Sequence, residues 1–222
     1  MSTPPRIVLL HATPVAMEPV HAAFSKAWPE AELVNLLDDS LSADRTREPE
    51  LKGPMIERFV EFGKYGYTIG ADAILVTCSA FGPAIERLAS VLPIPVLKPN
   101  EAMFKAAVKN GSNIAMIATF APSLPTMEAE FEEYVATTAS QAKLTSILVE
   151  PAMTALRRGD VETHNRLISE RARDLSGFDT IMLAHFSTAR AEPVLSRELD
   201  IPVLSPPDAA VRELRSRVER SS

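Results

Sequence analysis

The chain has 222 residues, of which 46% are hydrophobic and only 6% aromatic, with a formal net charge of −6 and a single cysteine. The acidic balance and the lack of long Lys/Arg runs argue against a nucleic-acid surface, and the apolar runs are too short to span a membrane. One cysteine excludes an internal disulfide. The start of the chain lacks the form of a signal peptide, so a cytoplasmic address is expected.

Short apolar runs alternate with longer helical patterns, which predicts βαβ units with buried parallel strands. The predicted strands, in chain order, cover residues 6–11, 32–37, 73–77, 94–97, 113–118, 144–149, 180–184 and 201–204. The predicted helices cover residues 16–28, 54–69, 83–92, 101–109, 124–138, 160–175, 189–198 and 207–220. The fold class is therefore α/β, with a four-stranded parallel sheet in each half.

Local residues support several of these boundaries. Gly53-Pro54 opens a helix with proline in its first turn, where the missing N–H costs nothing. Asp160 is predicted to cap the helix at residues 160–175. The apolar stripe of this helix that faces inward is Val161, His164, Ile168, Ala172 and Leu175. Pro193 requires its helix to begin late or bend. The polar segment 38–52 lacks periodicity and is predicted to be a mobile loop beside the ligand site.

Two stretches of the chain repeat one design. In the first stretch, Ile74-Leu75-Val76 leads through a helix to Ile94-Pro95-Val96-Leu97. In the second, Ile181-Met182-Leu183 leads the same way to Ile201-Pro202-Val203-Leu204. Each run of the second stretch lies the same number of residues after its counterpart in the first. This spacing predicts two pseudosymmetric lobes, residues 1–100 with 207–222 and residues 101–206. A cleft between them would present residues 78 and 185, which have the same spacing, to one small ligand.

Candidate functional residues follow the odd-numbered strands, because ligands of open parallel sheets bind beyond the carboxyl ends of the strands. These positions carry small hydroxyls and backbone N–H groups near helix N-termini, an arrangement that suits a carboxylate or another anion. Thr13, Thr119 and Ser123 could equally be ordinary helix caps. The candidates for substrate binding are His11, Thr13, Ser79, Ala80, Thr119, Ser123 and Ser187.

Cys78 and His185 are the candidate catalytic residues. Cys78 lies between a buried strand and a helix opening at Pro83, where backbone donors and the helix end are expected to lower its pKa and favour a thiolate. The alternative is a small buried hydrophobe. A histidine at the equivalent position suits proton transfer, although a structural histidine is the alternative. His11 has a weaker claim, whereas His21 and His164 are predicted to be structural or solvent-facing.

Several motifs are missing from the sequence. No glycine-rich dinucleotide fingerprint or phosphate-loop lysine motif is present, and the chain has only eight glycines. The four histidines show no metal-ligand spacing. We therefore expect no nucleotide cofactor and no metal.

The residues around the candidate site resemble the aspartate/glutamate/hydantoin racemase superfamily, which includes arylmalonate decarboxylase and maleate isomerase branches. The matching segments are Asp72–Gly82, Ala118-Thr119 and Phe178–Ser187. The resemblance implies two pseudosymmetric α/β lobes, no cofactor, one cysteine from each lobe and homodimer formation. Cys78 matches the first family cysteine. His185 stands where the second is expected, and Ala184 where glycine is common.

The resemblance leads to one principal hypothesis and two alternatives. The principal hypothesis is a racemase or isomerase-like enzyme acting on a small carboxylate or cyclic amide such as a hydantoin, by Cys/His proton transfer. One alternative is a one-cysteine decarboxylase of malonate-type acids, although that branch keeps the cysteine of the second lobe. The other is a non-catalytic protein that binds a small anion. For either enzyme, Ser79 with the backbone near Ala80, and Thr119 with Ser123, would stabilise a carbanion.

Overall fold

The computed structural model of the protein describes residues 4–48 and 50–221, so the first three residues of the amino-terminal stretch considered above lie outside it. The elements of the first part of the chain are β1 (Arg6–His11), α1 (Met17–Ala27), β2 (Glu32–Leu37), α2 (Ser40–Arg47), α3 (Gly53–Thr68), β3 (Ala73–Val76), α4 (Gly82–Val91) and β4 (Val96–Leu97). The second part contains α5 (Glu101–Asn110), β5 (Asn113–Ala118), α6 (Leu124–Thr137), β6 (Lys143–Leu148), α7 (Glu150–Arg157), α8 (Val161–Arg173), β7 (Thr180–Leu183), α9 (Glu192–Glu198), β8 (Val203–Leu204) and α10 (Pro206–Ser221).

The strands form two parallel sheets with the same topology, which confirms the predicted fold class. Their strand orders are β2-β1-β3-β4 and β6-β5-β7-β8. The chain divides into a first unit, residues 1–99 with 207–222, and a second unit, residues 100–206. Ile74 pairs with Val96 in the first sheet, and Ile181 pairs with Val203 in the second, so the spacing of the sequence repeat is kept in the strand register.

An aspartate fixes the start of the first strand of each sheet in the same way. The backbone N–H of Arg6 donates to Asp72 Oδ2 at 2.7 Å, and the N–H of Asn113 donates to Asp179 Oδ2 at 2.8 Å. Asp72 and Asp179 occupy equivalent positions of the sequence repeat. The duplication therefore extends from the strand pattern to the individual hydrogen bonds that fix the first residues of β1 and β5.

Each face of the second sheet carries its own hydrophobic core. Ala115 and Ile117 of β5 belong to a cluster that includes Ile168 of α8, whereas Met116 belongs to a cluster that includes Phe131 of α6. Successive residues of a strand point to opposite faces. Helices thus cover both faces of the sheet, which explains why its central strands β5 and β7 are mostly aliphatic and buried.

The prediction of a loop at residues 38–52 is wrong, because Ser40–Arg47 forms a helix. Arg58 holds this region in place by contacting Asp38 at 2.5 Å and Asp44 at 2.7 Å. Residue 49 of this segment lies outside the described part of the chain. Helix α7 was also not predicted, and Val161, placed in the inward stripe of α8, is 40% exposed.

Other local predictions are confirmed. Helix α3 begins at Gly53 with proline in its first turn, and Gly70 follows it with a φ of +86°, a conformation that favours glycine. Asp160 caps α8 by accepting a hydrogen bond from the Thr163 N–H at 2.9 Å. Helix α9 begins only at Glu192, so Pro193 lies in its first turn.

The terminal helix α10 contacts α1 of the first unit. Arg215 Nη1 donates to the carbonyl oxygen of Ala27 at 2.9 Å, and Lys26 forms an ion pair with Asp208 at 2.5 Å. Within residues 4–48 and 50–221, no helix is both long enough and apolar enough to cross a membrane.

Gly63 lies where α3 crosses α4, and we expect Gly63→Ala to destabilise the protein by about 1–3 kcal/mol because a well-packed core resists added volume. A Cβ atom there would lie 2.2 Å from a Leu88 methyl group, and Leu88 is fully buried. Gly53→Ala is the matched control, since a Cβ at Gly53 meets nothing within 4 Å. Urea unfolding measures the difference, and equal stabilities for the two variants would contradict the predicted clash.

Candidate active site

Cys78 lies at the carboxyl end of β3, two residues after the last residue of the strand. The Thr77 N–H still donates to the Leu10 carbonyl oxygen at 3.0 Å, which keeps the chain aligned with β1 up to that point. Cys78 has an extended backbone and precedes a 3-10 turn, Ser79–Phe81, before α4 begins at Gly82. Its side chain is only partly exposed, and Ser79 and Ala80 are buried.

Burial raises the pKa of the Cys78 thiol to about 11, so the expectation of a lowered pKa is wrong. A hydrogen bond from the Ala80 N–H and the positive charge of Arg45 both act in the opposite direction, but burial outweighs them. The 3-10 turn separates Cys78 from the first residue of α4, and the field of a helix end falls off within one turn. At neutral pH Cys78 is therefore a thiol.

Arg45 is a residue of this site that the sequence analysis missed. It projects from α2, its side chain is only 2% exposed, and its Nε donates to the Ala80 carbonyl oxygen at 3.1 Å. Its Nη1 donates to the Glu48 carbonyl oxygen at 2.5 Å. A buried guanidinium thus lies against the turn that follows Cys78.

His11 is buried, and both of its ring nitrogens have protein partners. Nδ1 lies 2.9 Å from Thr77 Oγ1, and Nε2 lies 2.9 Å from Asn35 Oδ1, an oxygen that also contacts His21 Nε2 at 2.8 Å. Burial is the main reason why the pKa of His11 falls to about 4; the charge of His21 lowers it further, and the Asn35 hydrogen bond raises it. His11, the last residue of β1, is therefore linked to Asn35 within β2 and to Thr77, the residue before Cys78.

Thr13 lies two residues after β1, at the start of a second 3-10 turn, Pro14–Ala16. Its side chain is partly exposed and makes no capping hydrogen bond. The capping role that the sequence allowed for Thr13 is therefore not realised.

His185 occupies the position in the second unit that Cys78 occupies in the first. It follows β7 by two residues, has an extended backbone, and precedes a 3-10 turn, Phe186–Ala191. Its N–H donates to Thr188 Oγ1 at 3.1 Å, and that hydroxyl donates back to the His185 carbonyl oxygen at 2.6 Å. The His185 side chain also accepts from the Thr188 N–H, so backbone groups and the imidazole together fix the turn.

The imidazole of His185 is buried and uncharged at neutral pH. Burial, with a smaller contribution from the charge of His164, lowers the pKa of His185 to about 4. His185 Nε2 has no hydrogen-bond partner among the described residues. His164 is itself fully buried, so the alternative that it faces solvent is wrong.

Thr119 is the second side chain of this unit with an unused polar atom. It is 1% exposed, and its Oγ1 has no partner within the described part of the chain. Ile117 pairs with Leu183, so Thr119 and His185 both lie two residues beyond a matched pair of adjacent strands. The carboxyl end of this sheet therefore presents a hydroxyl and an imidazole nitrogen that no other described residue engages.

The other candidates of the second unit have local partners. Ser123 Oγ donates to the Phe120 carbonyl oxygen at 2.7 Å, which closes the turn before α6. Ser187 is buried in the turn after His185, and its carbonyl oxygen accepts from Arg190 Nη1 at 3.4 Å. Among residues 4–48 and 50–221, no group of three His, Cys, Asp or Glu side chains could hold a metal ion.

The stability of the protein is expected to fall as the pH drops from about 6.5 to 4. In that range an unfolded histidine binds a proton that a folded His11 or His185, each with a pKa of about 4, does not. The unfolded state therefore binds more protons, and each histidine is expected to cost about 3 kcal/mol by pH 4. Urea unfolding at several pH values checks this, and His185→Gln should flatten the pH dependence. Parallel curves for variant and wild type would show that His185 titrates freely in the folded state.

Comparison with known proteins places this architecture among racemases. The model of a family described as Asp/Glu/Hydantoin racemase matches residues 8–214. Three similar structures are a glutamate racemase from Bacillus anthracis (16% identity, 100% of this chain and 84% of that chain, TM-score 0.77), an aspartate racemase from Picrophilus torridus (15%, 97% and 94%, 0.74) and an allantoin racemase from Klebsiella pneumoniae (20%, 98% and 89%, 0.69). A search of curated proteins finds no significant match.

Proposed function

The chain belongs to the Asp/Glu/hydantoin racemase family, and from this we propose that it catalyses proton transfer at the α-carbon of a small carboxylate or hydantoin-type substrate, without a cofactor. We assign the two proton-transfer roles to Cys78 and His185. A racemase-type enzyme follows from the family; the substrate class and the Cys/His pair are the parts that we propose.

One observation supports the pair most directly. Cys78 and His185 follow equivalent buried strands by two residues, both have extended backbones, and both begin a 3-10 turn. Each unit thus places one group that can transfer a proton at the carboxyl end of its sheet, where parallel sheets bind ligands. A purely structural role would not require a side chain that can transfer a proton at this position in both units.

The protonation states suggest how the reaction could run. At neutral pH both groups are uncharged, with Cys78 a thiol and His185 a neutral imidazole. In the proposed step, the neutral imidazole of His185 takes the α-proton while the Cys78 thiol delivers its proton to the same carbon. The products are the opposite enantiomer, an imidazolium and a thiolate. The reverse reaction starts from that charged pair, so protons and electrons balance in both directions.

A carbanion beside a carboxylate forms only if hydrogen-bond donors stabilise the charge that spreads onto its oxygens. The buried Thr119 hydroxyl, which has no other partner among the described residues, supports this role most strongly. We assign further substrate contacts to Thr13, Ser187 and the backbone of Ser79 and Ala80. Ser123 and His11 have protein partners for their polar atoms, so we assign them the role of holding these substrate-contacting residues in place.

A decarboxylase of malonate-type acids is the second candidate, and one observation favours it. A thiol whose pKa is about 11 is a proton donor at neutral pH, and a decarboxylase needs only one donor to protonate the enolate that remains after carbon dioxide leaves. That reaction needs no base, so His185 would then have no proton to accept.

One experiment separates the candidates. Enantiopure aspartate, glutamate and allantoin, together with a set of arylmalonates, are incubated with the protein in deuterated water and followed by NMR and chiral chromatography. Loss of the α-hydrogen signal together with racemisation supports the proposal. Release of one carbon dioxide per product, without exchange into the starting acid, supports the decarboxylase instead. Thermal stabilisation by one of these compounds without turnover would mean that the protein only binds it.

A further inference from the structure

Helices α2 and α7 occupy equivalent places in the two units, since α2 follows β2 and α7 follows β6, which are equivalent edge strands of the two sheets. Glu32 of β2 pairs with Arg6, and Lys143 of β6 pairs with Asn113, so Lys143 is the counterpart of Glu32. The buried positions of the two helices keep the spacing of that pair. They are Leu41, Ser42 and Arg45 in α2, and Ala152, Met153 and Leu156 in α7.

Arg45 therefore occupies a position that the other unit fills with leucine. The exposed fractions are 2% for Arg45 and 4% for Leu156, so the two sites are equally enclosed. Burying a guanidinium costs free energy that a leucine would not cost, and replacing a buried charge by a well-packed apolar residue is often stabilising. Packing alone does not explain why the first unit has arginine at this position.

The contacts of Arg45 lead to Cys78. Its Nε donates to the Ala80 carbonyl oxygen at 3.1 Å, and the N–H of the same residue, Ala80, donates to the Cys78 sulfur. Arg45 thus holds the residue that supplies a hydrogen bond to the sulfur. Its charge also acts on Cys78, and Glu48 acts on Arg45 in turn.

The charge difference between the units matches the chemistry proposed for them. Proton transfer by Cys78 leaves a negative sulfur, which a cation stabilises, whereas proton transfer to His185 leaves a positive ring, which a cation would repel. Arginine is present at this position in the unit with the cysteine, and leucine is present in the unit with the histidine.

We propose that Arg45 is a positioning residue for Cys78: it fixes the Ser79–Phe81 turn and supplies the positive charge that stabilises the Cys78 thiolate. This inference deepens the proposed function and rests on it for its purpose, but the stabilisation itself is measurable without a substrate. Arginine suits the role because its guanidinium stays protonated when it is buried.

The rate of Cys78 alkylation by iodoacetamide, measured between pH 7 and 11.5, tests the proposal, because the thiolate is the reactive form. The chain has one cysteine, so the rate reports on this site alone. Arg45→Met is expected to slow alkylation at pH 8 about tenfold, which corresponds to an upward shift of the pKa by about one unit. Arg45→Lys, which keeps the charge, should restore most of the rate. Arg47→Met is the control on the same helix, since the Arg47 side chain is 78% exposed.

A rate for folded Arg45→Met equal to that of the wild type would overturn the proposal. If thermal unfolding shows that Arg45→Met is not folded, Arg45→Gln replaces it, because glutamine can still donate to the Ala80 carbonyl oxygen but carries no charge. Slow alkylation of Arg45→Gln beside near-normal alkylation of Arg45→Lys supports the proposal, and equal rates overturn it. A shifted alkylation profile in a protein that racemises none of the tested substrates would reject the proposed function but keep the role of Arg45.

Discussion

Cys78→Ala is expected to lower the racemisation rate by about 10²- to 10⁴-fold, the usual contribution of a positioned acid or base, and to abolish exchange with deuterated water for the enantiomer whose α-hydrogen Cys78 removes. Alanine has no proton to deliver and cannot regenerate a base. Cys78→Ser should be nearly as inactive, because a serine hydroxyl is a far weaker acid than a thiol.

Both Cys78 variants should fold, because residue 78 is only partly buried and its substitutions are small. Ser90→Ala provides a control in the same unit, since Ser90 is exposed on α4 and its hydroxyl donates to the Arg87 carbonyl oxygen. Racemisation by Cys78→Ala at a rate close to that of the wild type would remove Cys78 from the mechanism.

His185→Cys is expected to keep or raise racemase activity, because it puts a second thiol at the position that repeats Cys78. His185→Gln is expected to lose activity by about 10²- to 10⁴-fold, since glutamine can donate a hydrogen bond from a similar place but cannot accept and release a proton. Chiral chromatography of both directions of the reaction measures the two effects.

These His185 variants are well matched because the hydrogen bonds between residue 185 and Thr188 use backbone groups of residue 185. The turn after β7 therefore keeps these two contacts when the side chain changes, and the variants lose only the hydrogen bond that the His185 side chain accepts from the Thr188 N–H. A clear loss in His185→Cys would show that the imidazole has a task of its own. Full activity in His185→Gln would show that the ring only donates a hydrogen bond.

The central strands β1, β3, β5 and β7 were predictable because almost all of their residues are buried and their aliphatic runs end at polar residues. The start of the last strand in each sheet, β4 and β8, was predicted wrongly. Residues 94–97 and 201–204 were predicted to pair, but only Val96–Leu97 and Val203–Leu204 do so. The prolines at 95 and 202 have no N–H to donate to a neighbouring strand, although their carbonyl oxygens still accept from Ile74 and Ile181.

Helix α2 was not predicted because two of its three buried residues, Ser42 and Arg45, are polar. The sequence of this helix therefore lacks the apolar stripe that indicates a helix. The positions of Cys78 and His185 followed from the repeat, yet the pKa of Cys78 did not. Its value depends on how many protein atoms surround the sulfur and on a guanidinium from a distant part of the sequence. Neither is visible until the chain is folded.

The single thiol, which follows β3, gives the protein an internal probe. A fluorinated or chromogenic group attached through Cys78 would occupy one defined place, with no background from other thiols. Such a label would report protonation and local motion at the proposed catalytic position in the natural sequence, before any residue is replaced.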